Sequence, residues 1–258
     1  MTRKKSPQDA EILIQKLPSD MGIHRNPRKG TLNAPDEILE DFSTGKDILV
    51  EEIFPDEFSL EETHQKISKN TEDLVNHEKP LVSIGGDHSI SFPVLKVLKE
   101  KFPDLKLVWL DSHIDLKERV DEHISHDVVV RELLDHGFSL DEIYLVGTTR
   151  VDEDEESFLE DKDSQIYRPD ELEKFLREFD SGEHPVYLSV DIDVLREEEA
   201  PGTGYPDGEL ELEEVLDLIE KISPDHADLV EVAPPFDQNK ITVENAKKIL
   251  DKILEKLD

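Results

Sequence analysis

Apolar residues recur along the chain in two alternating patterns. Short, mostly apolar runs are typical of β-strands, and between them lie longer stretches in which apolar residues return every three or four positions, as on one face of a helix. The predicted strands are residues 11–17, 47–53, 81–84, 105–110, 142–146, 165–167, 186–190 and 227–232. The predicted helices are residues 34–42, 60–77, 94–102, 127–136, 169–179, 210–222 and 243–257.

The alternation of strands with helices predicts βαβ units, a parallel sheet and an α/β fold. The strand runs are rich in Val, Ile and Leu, as in strands that are covered on both faces. No linker, repeat or break in composition divides the chain, so we expect a single domain over residues 1–258. The acidic stretch 152–163 is interpreted as a solvated surface loop with a short helix at most, and a lid or a subunit contact is the alternative.

The composition narrows the class of protein. Asp and Glu number 64 against 30 Lys and Arg, a net charge of −34, which disfavours nucleic-acid binding and favours a high-salt setting that screens the repulsion. Periodic apolar runs argue against disorder, the other interpretation of such acidity. The chain has no cysteine, which fits a reducing cytoplasm. Neither a long apolar run nor a signal peptide is apparent, so we expect a cytoplasmic protein without membrane spans. A halophilic host is the preferred explanation of the acidity, and an ordinary acidic protein is the alternative.

Residues able to bind metal follow four of the predicted strands. In parallel sheets, ligands bind at the carboxyl ends of the strands. The sequence reads GGDHS at 85–89, DSHID at 111–115 and DID at 191–193, and Glu231 lies next to the last residue of the final predicted strand. Side chains two positions apart share a face in extended chain, so we expect the carboxylates and imidazoles of these segments to converge at one edge.

The charges of these side chains predict two metal ions. Asp111, Asp115, Asp191 and Asp193 contribute four carboxylates, and His88 and His113 contribute two imidazoles. A single cation would leave several buried negative charges uncompensated, whereas two divalent cations balance four carboxylates. Oxygen-rich sites with some imidazole suit Mn²⁺ or Mg²⁺, and a metal pair can hold a hydroxide nucleophile at neutral pH.

At these segments the sequence resembles the ureohydrolases, the family of arginase, agmatinase and formiminoglutamase. Three family segments are matched in order by GGDHS, DSHID and SVDID. The match extends over essentially the whole chain through PGTG at 201–204, VEVAPPFD at 230–237 and the opening region 18–38. The resemblance implies a three-layer α/β/α fold with a central, mainly parallel sheet of about eight strands, a pair of Mn²⁺ ions, and trimers or hexamers of the chain.

The resemblance also implies roles for individual residues. His88, Asp111, Asp115 and Asp191 would bind one Mn²⁺, and His113, Asp111, Asp191 and Asp193 would bind the other. Ser189 would hydrogen-bond the bridging hydroxide, and Glu231 would pair with the guanidinium of the substrate. His126 would be the proton shuttle, with His123 as its rival. The remaining histidines are interpreted as surface or packing residues: His24, His64, His77, His136, His184 and His226.

Two segments depart from the family pattern. Where the family often has Asp-Pro after the Asp-x-Asp segment, this chain continues with Arg196-Glu197-Glu198, and the family's Pro-Gly-Gly-Leu is altered to DGEL at 207–210. Neither change affects an expected metal ligand. Both are expected to reshape the substrate mouth or a subunit contact.

The resemblance implies hydrolysis of a guanidino or formimino C–N bond, and we expect agmatine, converted to putrescine and urea, as substrate. Glu122, four residues before His126, is expected at the substrate mouth, where it would repel a carboxylate. Against this, Lys117 or Arg119 could pair with a carboxylate, and the loop 21–30 resembles formiminoglutamases. Formiminoglutamate is therefore the second candidate and arginine the third.

Two other classes of protein remain open at this point. A single-metal deacylase has a similar fold but lacks the Gly-Gly-Asp-His pattern of this chain. A non-catalytic metal-binding relative is disfavoured because His126 and Glu231 accompany every expected ligand.

Overall fold

Eight strands form one sheet in the computed structural model, which describes residues 6–24 and 26–257. The strands are β1 Ile12–Leu17, β2 Ile48–Glu52, β3 Leu81–Gly85, β4 Lys106–Leu110, β5 Ile143–Val146, β6 Gln165–Tyr167, β7 Val186–Asp191 and β8 His226–Val230. Their order is β2-β1-β3-β8-β7-β4-β5-β6, and every neighbouring pair is parallel. The interpretation of residues 1–5 as lacking a signal peptide lies outside the described residues.

In the part of the chain that the structure describes, eight α-helices connect the strands and cover the sheet. They are α1 Ala34–Leu39, α2 Leu60–Val75, α3 Ser91–Lys101, α4 Val129–Asp135, α5 Glu153–Leu159, α6 Leu172–Glu178, α7 Leu212–Ile222 and α8 Ile241–Lys256. Seven coincide with predicted helices, and α5 is the short helix allowed within the acidic stretch. Within the described residues, no helix is long and apolar enough to cross a membrane.

The helices lie in two layers because strand side chains alternate between two buried faces. Ile12 and Ile14 of β1 point into the core shared with α1, α6, α7 and α8, whereas Leu13 and Leu17 point into the core shared with α2, α3 and α4. The three-layer α/β/α fold with a central parallel sheet of eight strands is therefore confirmed.

The strand order decides which strand ends become neighbours. β3, β8, β7 and β4 lie side by side in the centre of the sheet. These are the four strands after which the sequence places candidate ligands and Glu231. Their parallel direction brings all four carboxyl ends to one edge of the sheet.

Candidate active site

Tight turns after β3 and β7 bring two ligand segments to this edge. Gly86 follows β3 where a Cβ atom would overlap the backbone carbonyl of Ser19, so only glycine lets the two backbones approach. Asp87 then caps a short helical turn, His88–Ile90, by accepting a hydrogen bond from the Ser89 amide at 3.0 Å. Asp191 caps the equivalent turn after β7 through the Asp193 amide at 2.7 Å.

The first half of the candidate site surrounds the His88 imidazole. Nδ1 of His88 lies 3.1 Å from a carboxylate oxygen of Asp111, 3.1 Å from one of Asp191 and 3.5 Å from one of Asp115. His88 is 1% exposed, so the cluster is shielded from bulk water. The sequence expectation that these four side chains converge agrees with this geometry.

The second half shares Asp111 with the first. Nδ1 of His113 lies 3.1 Å from a carboxylate oxygen of Asp193 and 3.5 Å from the other oxygen of Asp111. Among the described residues, two groups have ligand atoms close enough together to hold a metal ion. They are His88 with Asp111 and Asp191, and Asp111 with His113 and Asp193. Asp111 offers one oxygen to each group, as a bridging ligand would.

The electrostatics of the cluster call for positive charge. Burial raises the pKa values of Asp115, Asp191 and Asp193, and the neighbouring carboxylates raise them further. Burial would lower the pKa of His88, but the carboxylates of Asp111 and Asp191 raise it well above its usual value. Cations at this position would relieve the repulsion among the carboxylates.

The donor atoms fit metal ions better than a hydrogen-bonded network. Nδ1 of His88 is buried and has no hydrogen-bond partner among the described residues, although carboxylates surround it. An orphaned imidazole nitrogen among carboxylate oxygens is the arrangement that a divalent cation completes. The donor set of carboxylate oxygens and two imidazoles suits hard to borderline cations such as Mn²⁺.

His126 and Glu231 form a second, adjacent pair. Nδ1 of His126 lies 3.2 Å from Oε1 of Glu231, which also accepts a hydrogen bond from the His88 amide at 2.8 Å. Burial alone would lower the pKa of His126, but Glu231 and then Asp115 raise it to about 9. β8 ends at Val230, two residues before the predicted end at 232, and Glu231 has a left-handed backbone with φ of 62°. His126 therefore lies beside the cluster with a buried carboxylate as its partner.

Ser189 lies behind His88, away from the carboxylate cluster. Its Oγ lies 2.8 Å from Nε2 of His88 and donates a hydrogen bond to Oδ1 of Asp228 at 2.7 Å. The hydroxyl thus meets the ring nitrogen opposite the one that faces the carboxylates. The contact expected between Ser189 and a bridging hydroxide stays a prediction.

Charged and aromatic side chains line the cavity over the cluster. Lys117 forms an ion pair with Asp152 at 2.8 Å, and Nε of Arg150 contacts the same carboxylate at 2.9 Å. Tyr205 lies between two imidazoles, with its ring centroid 5.5 Å from that of His113 and 6.1 Å from that of His126. Asp127 and Glu155 also line the cavity.

Two residues that the sequence placed near the substrate lie elsewhere. The side chain of Glu122 is 95% exposed, contacts Arg119 at 3.7 Å and does not line the cavity, so its expected position at the substrate mouth does not agree with the structure. His123 lines a separate groove with His64 and Glu122, while His126 lines the cavity itself. The path of the loop 116–125, which has no regular structure, could not be read from residue spacing.

Three residues of the site were missed in the sequence. The Trp109 ring stacks on the His88 ring at 3.9 Å with an angle of 3°. Asp228, fully buried in β8, and Tyr205, directly after PGTG, were also not singled out. Asp228 carried a signal, since a carboxylate inside an otherwise apolar strand run requires a buried partner.

Comparison with known proteins agrees with this geometry. The model of the family described as "Arginase family" matches residues 10–255. An agmatinase of Bacillus anthracis is 30% identical over 96% of this chain and 92% of its own length.

Solved structures share the fold. A putative agmatinase from Clostridium difficile superposes with a TM-score of 0.85 and 22% identity, covering 96% of this chain and 97% of that one. The arginase from Bacillus subtilis gives a TM-score of 0.82 and 23% identity, covering 94% of this chain and 98% of that one. Family match, relatives and fold lead to one conclusion: the chain belongs to the arginase family and is an agmatinase-like ureohydrolase.

Proposed function

We propose that the chain binds two Mn²⁺ ions and uses them to hydrolyse the guanidino C–N bond of agmatine, giving putrescine and urea. His88, Asp111, Asp115 and Asp191 would hold one ion, and His113, Asp111, Asp191 and Asp193 the other. The observation that carries the proposal is the orphaned Nδ1 of His88 among three buried carboxylates. When bound, the metal pair would supply an activated water as the nucleophile.

The protein side chains carry the remaining chemistry. Glu231, buried beside the cluster, would bind the guanidinium, because a carboxylate is the natural partner of a planar cationic group. His126, whose pKa is raised by Glu231, would hold a proton and donate it to the leaving amine. Ser189 would position His88.

The cavity charges support a cationic substrate tail. Beyond the cluster, Asp127, Asp152 and Glu155 line the cavity, against two cationic side chains, Lys117 and Arg150. Both cations already contact Asp152, which leaves them partly neutralised. The negative balance favours an amine over a carboxylate at the tail of the substrate. The agmatinase relative with 30% identity supports the same substrate.

One observation favours a second candidate. Lys117 and Arg150 line the cavity, so a carboxylate that displaced Asp152 would find two cations. Formiminoglutamate, followed by arginine, therefore remains the alternative to agmatine.

The test is a comparison of kcat/KM for agmatine, arginine and formiminoglutamate with the Mn²⁺-loaded protein in molar KCl. We expect agmatine to be preferred, elemental analysis to give close to two Mn²⁺ per chain, and Asp191→Ala to lose both metal and activity. Preference for either amino acid would contradict the proposed tail recognition. Stoichiometric Mn²⁺ binding without turnover of any guanidino or formimino compound would favour a non-catalytic relative.

We also propose a single domain over residues 1–258, a homo-oligomer of three or six chains, and a cytoplasmic location in a high-salt cell. The single eight-stranded sheet supports the first. Light scattering of the purified protein tests the second.

A further inference from the structure

A fully buried carboxylate in β8 collects three hydroxyl groups. Asp228 is 0% exposed. Its Oδ2 accepts hydrogen bonds from Oγ of Ser91 at 2.6 Å and from the hydroxyl of Tyr187 at 2.8 Å, and its Oδ1 accepts one from Oγ of Ser189 at 2.7 Å. Burial raises the pKa of Asp228, and the hydrogen bonds from the three hydroxyl groups act against that rise. In all three contacts Asp228 is the acceptor. The roles proposed for the other site residues do not require a carboxylate at position 228.

The hydroxyl of Ser189 connects this carboxylate to the metal cluster. A serine hydroxyl has one proton, and Ser189 donates it to Asp228. Oγ can then only accept from Nε2 of His88, 2.8 Å away, so the proton of a neutral imidazole lies on Nε2. The lone pair of that imidazole lies on Nδ1, the nitrogen that faces Asp111 and Asp191.

We propose that Asp228 is a positioning residue that fixes the tautomer of His88 through Ser189 and so keeps Nδ1 available to a metal ion. Trp109 restrains the plane of the same ring by stacking on it, but stacking does not distinguish the two nitrogens. The chain of hydrogen bonds from Asp228 supplies that distinction. The inference rests on the proposed metal site but is independent of which substrate is hydrolysed.

Two variants interrupt the chain of hydrogen bonds at different points. Ser189→Ala removes the acceptor for Nε2. Asp228→Leu removes the acceptor for the Ser189 hydroxyl, which can then turn and donate to Nε2, leaving the proton on Nδ1 where it blocks a metal. Loss of such an outer partner typically weakens metal binding by about 10–100-fold, and we expect that loss in both variants.

Ser91→Ala and Tyr187→Phe are matched controls. Each removes one hydrogen bond to Oδ2 of Asp228 and leaves the contact between Oδ1 and Ser189 intact. Their stability is expected to fall, while their Mn²⁺ affinity stays within about threefold of the parent, because the direction of the Ser189 hydroxyl is unchanged.

The measurement is Mn²⁺ binding followed by electron paramagnetic resonance of free and bound ions, with the melting temperature of each metal-free variant recorded alongside. The expected result is weakened binding in Ser189→Ala and Asp228→Leu, and no further loss when the two are combined, because both interrupt one pathway. Parental affinity in Ser189→Ala, or a loss in Ser91→Ala equal to that in Asp228→Leu, would overturn the proposal.

A folding failure of Asp228→Leu and a failure of the proposed function can each be distinguished from a failure of the positioning role. If Asp228→Leu does not fold, Ser189→Ala against Ser91→Ala decides the question alone. If the affinities follow the expected pattern while no guanidino compound is hydrolysed, the positioning role of Asp228 stands and the proposed function fails.

Discussion

His126 and His226 are both buried, yet their surroundings move their pKa values in opposite directions. Burial lowers the pKa of each, and for His226, beside Lys101, it remains at about 4. For His126, the carboxylate of Glu231 outweighs burial and raises the pKa to about 9. A charged partner inside a cavity, and not burial itself, therefore separates the candidate catalytic histidine from a packing histidine.

His126→Ala is expected to reduce kcat by about 10²–10⁴-fold, the usual contribution of general acid–base assistance. Both Mn²⁺ ions should remain, because His126 contacts Glu231 and is not a proposed ligand. Steady-state kinetics and elemental analysis measure the two effects. His123→Ala is the control, since His123 lies in a separate groove, and the assignment fails if this variant shows the loss instead.

His226 should make the fold sensitive to acid. Its Nδ1 accepts a hydrogen bond from the Leu81 amide, and its pKa of about 4 lies below the usual 6.5, so the unfolded chain binds a proton that the folded chain refuses. Above pH 6.5 the neutral His226 ring contributes fully to the free energy of unfolding. This contribution is lost as the pH falls toward 4, and the loss amounts to at most about 3 kcal/mol.

Urea unfolding across this pH range measures the effect. His226→Gln should flatten the slope of unfolding free energy against pH, whereas His184→Gln, at an exposed position, should leave it unchanged. An unchanged slope in His226→Gln would contradict the assignment.

The individual strands and helices were largely predictable, because each depends on local periodicity. All eight predicted strands are present, with boundaries within one residue of those predicted except at the end of β8. α3 starts at Ser91, three residues before the prediction, because a proline is tolerated in the first turn of a helix. α5 is short and has little apolar periodicity, so its formation depends on packing with distant residues.

The relative placement of these elements was not predictable to the same extent. The convergence of the ligand segments followed from the parallel sheet, but the order β3-β8-β7-β4 depends on long-range pairing. The same cause explains why Glu122 was placed wrongly. It also explains why Trp109, which stacks on His88, and Asp228, which contacts Ser189, were missed. Sequence spacing gives no information about which side chain of one strand meets which side chain of the next.

The turn after β3 should tolerate no side chain at residue 86. Gly86→Ala is expected to shift the turn that carries His88, because the added methyl group would overlap the Ser19 carbonyl, and overpacking costs about 1–3 kcal/mol. Mn²⁺ affinity and melting temperature should both fall. Gly45→Ala is the matched control, since its methyl group would meet no described atom within 4 Å. Parental Mn²⁺ affinity in Gly86→Ala would contradict the close-packing argument.

At the scale of the whole molecule, the net charge of −34 should make stability depend on salt. Repulsion among surface carboxylates is screened over about 3 Å in 1 M salt but over about 10 Å in 0.1 M salt. We expect the melting temperature to rise with KCl concentration into the molar range. Differential scanning calorimetry of the metal-free protein measures it, and a flat or falling curve would remove the argument for a halophilic host.

The central position of β7 and β8 has a consequence for when the proposed ligand set is assembled during synthesis. A nascent chain that ends after β6 contains His88, Asp111, His113 and Asp115, but lacks the two strands that lie between β3 and β4. The two halves of the ligand set therefore have no sheet to join them until the ribosome has passed Glu231. Such late, long-range pairing is slow to form, so the complete ligand set that we propose for manganese is assembled only in finished chains.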